Sequence, residues 1–248
     1  MQLTRENLES DVSFVTYTHS NCKDVWKPYF DSLNEFASGI QSFVFSNEES
    51  SEFGRHKFLK YDDDKDYCRE FVKCLKQVKS KFVIYMQEDF ILYDNVKMEK
   101  IIEYMKTLDE SQTLSFVRLI KCGDVSEIRY KSDLFFIKRS VIHDSINSFS
   151  MQPTIWKKDD LISLYEAVDE KKFGENFSYT VAMNYLGIDG LYCYNCEKKR
   201  GGAHFDSSVF PYIATAVVRG KWNVSEYREE LQKIFDKYSI DSRKRGHI

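Results

Sequence analysis

Two acidic residues directly follow a short apolar run in the first half of the chain. Residues 82–86 read FVIYM, and the next three residues are Gln87, Glu88 and Asp89. A continuous apolar run of this length is typical of a strand covered on both faces of a sheet. In open α/β sheets, ligands bind beyond the carboxyl ends of such strands. Carboxylates there can hold a hard cation such as Mg²⁺ or Mn²⁺; the alternative is that they begin a solvated loop or cap a helix.

The elements that would position this pair alternate along the first two thirds of the chain. Short apolar runs, which predict strands, are separated by stretches in which apolar residues recur at helical spacing. This alternation predicts an α/β layered sheet, mostly parallel, in a single domain. We expect strands over residues 12–17, 42–45, 57–61, 82–86, 114–119 and 134–137, and helices over residues 24–36, 67–78, 98–105, 158–167, 175–185 and 225–238.

The composition excludes several classes of protein. Of 248 residues, 42% are hydrophobic and 30% are charged, as in folded globular domains. The formal net charge of -3 offers no concentrated basic face, so we expect no nucleic-acid partner. No apolar run approaches the roughly 20 residues that cross a bilayer, and the polar N-terminus does not read as a signal peptide. We therefore expect no transmembrane segment and a cytoplasmic protein, with the basic residues 242–247 leaving contact with a membrane surface open.

The order of these features resembles a known family. An N-terminal strand ending in Thr16 and Tyr17, an Asp-rich loop at residues 61–64 and a strand ending in Gln87-Glu88-Asp89 are similar to nucleotide-sugar-dependent glycosyltransferases of the GT-A fold. The acidic motif of that family is usually written DxD, and here its first position is Gln87. The resemblance implies a Rossmann-like mixed sheet flanked by helices. It also implies that Asp89 is a ligand of Mn²⁺ or Mg²⁺ and that Glu88 lies in the donor site.

Further stretches that resemble this family lie later in the chain. The stretches MQPTIWKKDDL and FGENFSY resemble the acceptor side of inverting members, in which an aromatic residue precedes an acidic base. The stretch HFDSSVFPYIATAVVRGKWN resembles bacterial and large-virus transferases that build surface glycans. The resemblance implies that Glu175 is the catalytic base and that His204 completes the metal shell. Glu175 also follows Gly174 near a predicted helix start, where a carboxylate is favoured by the helix dipole.

The resemblance also implies roles for residues around the donor. Thr16 and Tyr17 would lie at the nucleotide, with Tyr17 stacking on its base and Asp62 accepting a hydrogen bond from it. Alternatively, Asp62 belongs to a solvated turn, because the run YDDDKD is strongly polar. His19 either lines the nucleotide pocket or caps the following helix.

Two residues of the predicted sheet have a functional and a structural interpretation. Arg118 follows an apolar run and would pair either with a donor phosphate or with an acidic neighbour in an ion pair. Trp156 would stack on the apolar face of a sugar, although packing in the core is at least as common for a lone tryptophan.

These features predict an inverting transferase of polysaccharide biosynthesis. Its partners would be a nucleoside-diphosphate sugar donor, bound by about residues 10–122, and a glycan or lipid-linked glycan acceptor, bound by about residues 123–248. A metal-dependent phosphoesterase and a non-catalytic nucleotide- or carbohydrate-binding module remain alternatives. We discount a zinc site at Cys193, Cys196 and His204, because no second Cys-x-x-Cys pair is present.

Overall fold

The structure is a computed structural model of the chain. It describes residues 11–123, 127–137, 149–168, 175–201 and 203–248, with the backbone alone for residues 175–177. Among these residues it has thirteen strands and six α-helices. The strands are β1 (Val12–Tyr17), β2 (Gln41–Ser46), β3 (His56–Lys60), β4 (Phe82–Gln87), β5 (Leu114–Arg118), β6 (Arg129–Lys131), β7 (Leu134–Phe136), β8 (Thr154–Lys157), β9 (Asp189–Cys193), β10 (Lys199–Arg200), β11 (His204–Phe205), β12 (Val217–Val218) and β13 (Lys221–Trp222).

The helices alternate with the strands in the first half of the chain and follow them at its end. The start of α2 has a local cause, because Asp66 caps this helix by accepting a hydrogen bond from the Arg69 N–H at 3.0 Å. The helices are α1 (Lys23–Phe36), α2 (Tyr67–Leu75), α3 (Met98–Glu110), α4 (Lys158–Ala167), α5 (Glu175–Leu186) and α6 (Val224–Tyr238).

The centre of the molecule is a mixed sheet with the order β3-β2-β1-β4-β8-β5-β9-β7-β6 among the described residues. Strands β1, β2, β3 and β4 are parallel, and β5 is parallel to β9. Strand β8 lies antiparallel between β4 and β5. The sheet is therefore parallel on its β3 side, as expected from the sequence, and mixed where β8, which the sequence analysis did not predict, is inserted.

Helices cover both faces of this sheet, because alternate residues of each strand are apolar on opposite sides. One core packs α1, α3 and α6 against residues such as Phe14, Val44 and Ile84. The other packs α2, α4 and α5 against residues such as Val15 and Phe45. Both cores share the central strands, which places the described residues in one layered α/β unit. None of the described helices is long and apolar enough to cross a membrane.

Candidate functional site at the carboxyl edge of the sheet

The order of the strands in the sheet reverses beside β1. The chain passes from β1 outward through β2 to β3 and then returns to form β4 on the other side of β1. The last residues of the two strands, Tyr17 and Gln87, are partners in the parallel register. Such a reversal of strand order is the point at which open α/β sheets bind ligands, beyond the carboxyl ends of the strands. Residues Glu88 and Asp89 follow β4 directly at this point.

Asp89 is the buried member of the acidic pair. It is 8% exposed, and its Oδ2 accepts a hydrogen bond from the Val217 N–H at 3.3 Å. Burial, followed by the negative charge of Glu88, raises the pKa of Asp89 to about 8, although the Val217 N–H and the charge of Arg245 act in the opposite direction. Near neutral pH the carboxyl group is therefore largely protonated, and a cation beside it would favour its ionised form.

The donor atoms of this pair suit a hard divalent cation. Mg²⁺ and Mn²⁺ prefer oxygen ligands, and Mg²⁺ is often held by one or two carboxylates together with substrate phosphates rather than by a complete protein cage. Glu88 and Asp89 supply two adjacent carboxylates. No group of three or more His, Cys, Asp or Glu residues able to hold a metal is found within the described residues. A cation here would accordingly depend on oxygens of the substrate for the rest of its shell.

His204 has different surroundings from Asp89. It lies in β11, pairs with Arg200 of β10 and forms an isolated bridge with Cys122. Burial is the largest effect and lowers the pKa of its imidazole. The charge of Glu226 acts to raise this pKa, whereas the charge of Arg118 acts to lower it. The described residues therefore do not combine His204 with Glu88 and Asp89 in one three-residue metal group.

The raised pKa of Asp89 makes stability depend on pH. Between its ordinary value of 3.8 and its folded value of about 8, the folded state holds a proton that the unfolded state has lost. We expect this residue to reduce the free energy of unfolding as pH rises through that range, by up to about 1.4 kcal/mol per pH unit. Urea denaturation of wild type and Asp89→Asn near pH 5 and near pH 8 should show the gap between them widening at the higher pH. A gap that is independent of pH would contradict the raised pKa.

An aromatic pair lies at the carboxyl ends of β1 and β3. Tyr17 stacks on Tyr61 with ring centroids 4.9 Å apart, and Tyr67 meets Tyr17 edge-on at 4.8 Å. The Tyr61 hydroxyl donates to the Thr18 carbonyl at 3.0 Å. Because Tyr61 is 4% exposed and Tyr17 is only half-buried, Tyr17 supplies the accessible part of the pair. A partly exposed tyrosine ring of this kind is a suitable surface for a nucleotide base.

Asp62 and His19 both have local partners at this rim. Asp62 Oδ1 accepts from the Asp64 N–H at 3.1 Å, and Oδ2 forms an ion pair with Lys65 at 3.1 Å. His19 Nδ1 accepts from the Asn21 N–H at 3.0 Å and so caps the short 3₁₀ turn before α1. The structure thus shows the turn that was one alternative for Asp62. His19 caps the 3₁₀ turn and not α1, whose N-cap residue is Cys22 without a side-chain hydrogen bond. Both residues are partly exposed and lie close in sequence to the stacked pair Tyr17 and Tyr61.

Two predicted contact residues are buried instead. Thr16 is 0% exposed, and its hydroxyl lies 2.7 Å from the Tyr29 hydroxyl. Trp156 is 2% exposed on β8 and stacks on Phe116 with ring centroids 4.3 Å apart. The predicted nucleotide contact of Thr16 and sugar contact of Trp156 are therefore replaced by core packing, because both side chains lie between the sheet and its helices.

Arg118 is also buried, at the carboxyl end of β5. It is 2% exposed, its Nε donates to the Ile120 carbonyl at 3.2 Å and its Nη2 donates to the Cys122 carbonyl at 3.4 Å. Among the described residues, the guanidinium bonds hold the segment after β5, and no ion pair to an acidic side chain is found. Because the side chain is 2% exposed, the phosphate pairing predicted for Arg118 is replaced there by bonds to backbone carbonyls.

Glu175 is the first residue of α5, at the helix start that its sequence context predicts. Its side chain lies outside what the structure describes, so its predicted role as a base is taken up below as a proposal.

Arg245, which no sequence pattern singles out as a site residue, lies near enough to Asp89 for its charge to affect that carboxyl group. Its Nε and Nη2 donate to Asp24 at 2.9 and 2.6 Å, and its Nη1 donates to the Gly220 carbonyl at 3.2 Å. The positive charge of Arg245 acts to lower the pKa of Asp89 and that of the Cys22 thiol. The pKa of Cys22 is nevertheless raised to about 12, chiefly by burial and then by the charge of Glu88. Nothing in the sequence signals this position, because Asp24 and Arg245 are 221 residues apart.

Removing Arg245 is expected to loosen the C-terminal segment. We expect Arg245→Gln to lower the free energy of unfolding by about 2 kcal/mol, because several hydrogen bonds to a charged group are lost from a largely covered side chain. The matched control is Arg243→Gln, whose 85% exposed side chain pairs with nearby Asp241 and should change stability by less than about 0.5 kcal/mol. Urea denaturation measures both; equal effects of the two substitutions would contradict the assigned contacts.

Comparison with known proteins identifies the class of fold. No protein-family profile matches the chain, and no curated protein sequence matches it. Among solved structures it is similar to a CMP:2-keto-3-deoxy-manno-octonic acid synthetase complexed with CTP. That match has a TM-score of 0.53 at 10% identity and covers 92% of this chain and 98% of the synthetase. This likeness confirms the predicted Rossmann-like α/β fold, with its layered mixed sheet flanked by helices.

Two further structures are more distantly similar. A cytidylyltransferase from Leptospira borgpetersenii has a TM-score of 0.49 at 12% identity, covering 94% of this chain and 97% of that one. A mannosyltransferase from Pyrobaculum calidifontis, in complex with GDP-mannose and Mn²⁺, has a TM-score of 0.47 at 10% identity, covering 77% and 58%.

Proposed function

We propose that the protein is a metal-dependent inverting glycosyltransferase that uses a nucleoside-diphosphate sugar. The observation that carries this proposal is the acidic pair Glu88-Asp89 at the strand-order reversal, beside the half-buried ring of Tyr17. A base stacked on Tyr17 at the end of β1 would place the diphosphate toward the end of β4. The sugar would then extend toward the part of the chain that begins near residue 123.

The carboxylates of Asp89 and Glu88 would hold Mn²⁺ or Mg²⁺ together with the donor phosphates. Such a cation stabilises the negative charge that the nucleoside diphosphate carries as it departs. The Val217 N–H donates to Asp89 Oδ2 and so orients this carboxylate just after the buried strand β4. Binding of the donor complex would favour ionisation of Asp89, which in the free protein has a pKa of about 8.

Glu175 is the proposed base on the acceptor side. An acceptor hydroxyl is a weak nucleophile until a carboxylate takes its proton. A carboxylate at the start of α5 is favoured by the helix dipole in its ionised form, which is the form that a base requires. Attack from the face opposite the departing phosphate inverts the anomeric centre. The proposed acceptor is a glycan or a lipid-linked glycan, in keeping with the resemblance to surface-glycan transferases.

Purified protein incubated with a panel of nucleotide sugars, with Mn²⁺ and with EDTA, tests the proposal. We expect release of free nucleoside diphosphate from at least one donor, with and without added glycan acceptors, and suppression by EDTA. Donor binding with no turnover on any acceptor would favour the non-catalytic binding module. Absence of nucleotide binding under every metal condition would contradict the proposal.

Nucleotidyl transfer from a nucleoside triphosphate is a second candidate. The observation that favours it is the similarity along nearly the whole chain to the synthetase complexed with CTP. Against it, the segment after β1, residues 18–22, has neither Lys nor Arg, and the next residue, Lys23, forms an ion pair with Glu48. A triphosphate would find few cations there. The products separate the two activities, because nucleotidyl transfer releases pyrophosphate and glycosyl transfer releases a nucleoside diphosphate.

A further inference from the structure

A cavity lies at the opposite edge of the sheet from the acidic pair. It has a volume of about 340 Å³ and is bounded by the amino ends of β2 and β3 and by the carboxyl end of α1. A volume of this size is at the lower end of the range of small-molecule sites. Its floor includes Phe14, Ser42 and His56, which lie side by side on the three parallel strands β1, β2 and β3.

Two polar side chains on this floor have unused hydrogen-bonding capacity. Ser42 and His56 are register partners on adjacent strands, so they face the same side of the sheet. They are 5% and 7% exposed. Within the described part of the chain, neither the Ser42 Oγ nor either ring nitrogen of His56 has a hydrogen-bond partner. Most buried polar atoms in proteins are paired, so three unpaired atoms at one spot need an explanation.

The charge at the mouth of the cavity comes from Arg55. This exposed residue precedes His56, and no ion pair or hydrogen bond of its guanidinium is recorded among the described residues. Of the described residues, those that line the cavity include no Asp or Glu. Burial, and then the positive charge of Arg55, lowers the pKa of His56 to about 4, whereas Asp31 acts weakly the other way. At neutral pH the imidazole is thus uncharged and offers one donor and one acceptor.

We propose that this cavity is a second ligand site, which takes a compact hydroxylated anion such as a sugar phosphate or a sugar acid. Hydroxyl groups both donate and accept, which is what Ser42 and the neutral imidazole of His56 require. The anionic group would pair with the guanidinium of Arg55. The three unpaired atoms are covered in the structure, so binding requires a rotation of the His56 or Arg55 side chain.

Calorimetry with glucose 6-phosphate, gluconate, glucose and inorganic phosphate tests the proposal on the full chain. We expect glucose 6-phosphate or gluconate to bind at least about tenfold more tightly than glucose or phosphate, and to bind equally well when Mn²⁺ and a nucleoside diphosphate are present. Arg55→Gln should weaken this binding about tenfold or more. Lys57→Gln, an exposed cation on the same strand, is the matched control and should leave it unchanged.

Ser42→Ala tests whether Ser42 contacts the ligand or has a structural role alone. It should raise the melting temperature of the free protein, because it removes an unpaired buried hydroxyl, and yet weaken ligand binding. Ser80→Ala, which removes another unpaired buried hydroxyl that does not line the cavity, should raise the melting temperature and leave binding unchanged.

The proposal fails if none of the probes binds, or if phosphate alone binds as tightly as the sugar anions. It also fails if Arg55→Gln or Ser42→Ala leaves binding intact, or if a nucleotide competes with the probe. Since these readouts need no sugar transfer, their failure is distinguishable from failure of the proposed activity.

Discussion

Asp89→Asn is expected to lower metal-stimulated sugar transfer about 100- to 1,000-fold while making the folded protein more stable. Loss of the carboxylate removes a ligand of the cation that offsets the leaving-group charge, an effect worth several kcal/mol. The amide keeps an acceptor for the Val217 N–H but avoids burying an ionisable group. We therefore expect the free energy of unfolding to rise by about 2–4 kcal/mol at pH 7. Steady-state kinetics with saturating donor and urea denaturation measure the two effects.

The matched control for this substitution is Asp94→Asn. Asp94 lies five residues further along the same segment and is exposed, so neither activity nor stability should change appreciably. Opposite changes in activity and stability are a signature of a functional site and would not arise from a general loss of structure. If Asp89→Asn keeps transfer within about threefold of wild type, the role proposed for Asp89 is wrong.

Glu175→Gln should reduce sugar transfer about 100- to 10,000-fold and leave donor binding within about twofold of wild type. Glutamine preserves the size of the side chain but cannot take the proton of the acceptor hydroxyl. Single-turnover kinetics with bound donor measures the transfer step, and calorimetry with the donor and Mn²⁺ measures binding.

Glu166→Gln on α4 is the control for the loss of a carboxylate from a neighbouring helix. Its side chain is exposed and pairs with Lys76, so it should be close to neutral in both assays. Loss of donor affinity in Glu175→Gln would place this residue in the donor site instead. Unchanged transfer would remove it from the mechanism.

The parts of the fold that the sequence predicts are those with a strong local pattern. The apolar run of β4 and the helical spacing in α2 place both elements close to their observed bounds. Strand β8 has no such pattern, because it is four residues long, follows Pro153 and ends at a lysine. Its position between β4 and β5 depends on pairing with residues far away in the sequence.

The residues of the candidate site likewise include some that a local sequence pattern locates and others that depend on distant parts of the chain. The end of β4 can be located from the apolar run that precedes Asp89, and the parallel order of β1 and β4 then places Tyr17 beside it. The face that Trp156 presents cannot be inferred in this way, because it depends on which helices cover β8. The partner of Arg245 is equally hidden, since a polar tail gives no indication that it returns to the first turn of α1.

Anomalous diffraction from a crystal soaked with Mn²⁺ and a nucleoside diphosphate would show whether Asp89 holds the cation. We expect one manganese peak within coordination distance, about 2.0–2.3 Å, of a carboxylate oxygen of Asp89, with the diphosphate completing the shell. A nucleotide bound at the ends of β1 and β4 with no peak beside Asp89, or a peak elsewhere in the molecule, would contradict it.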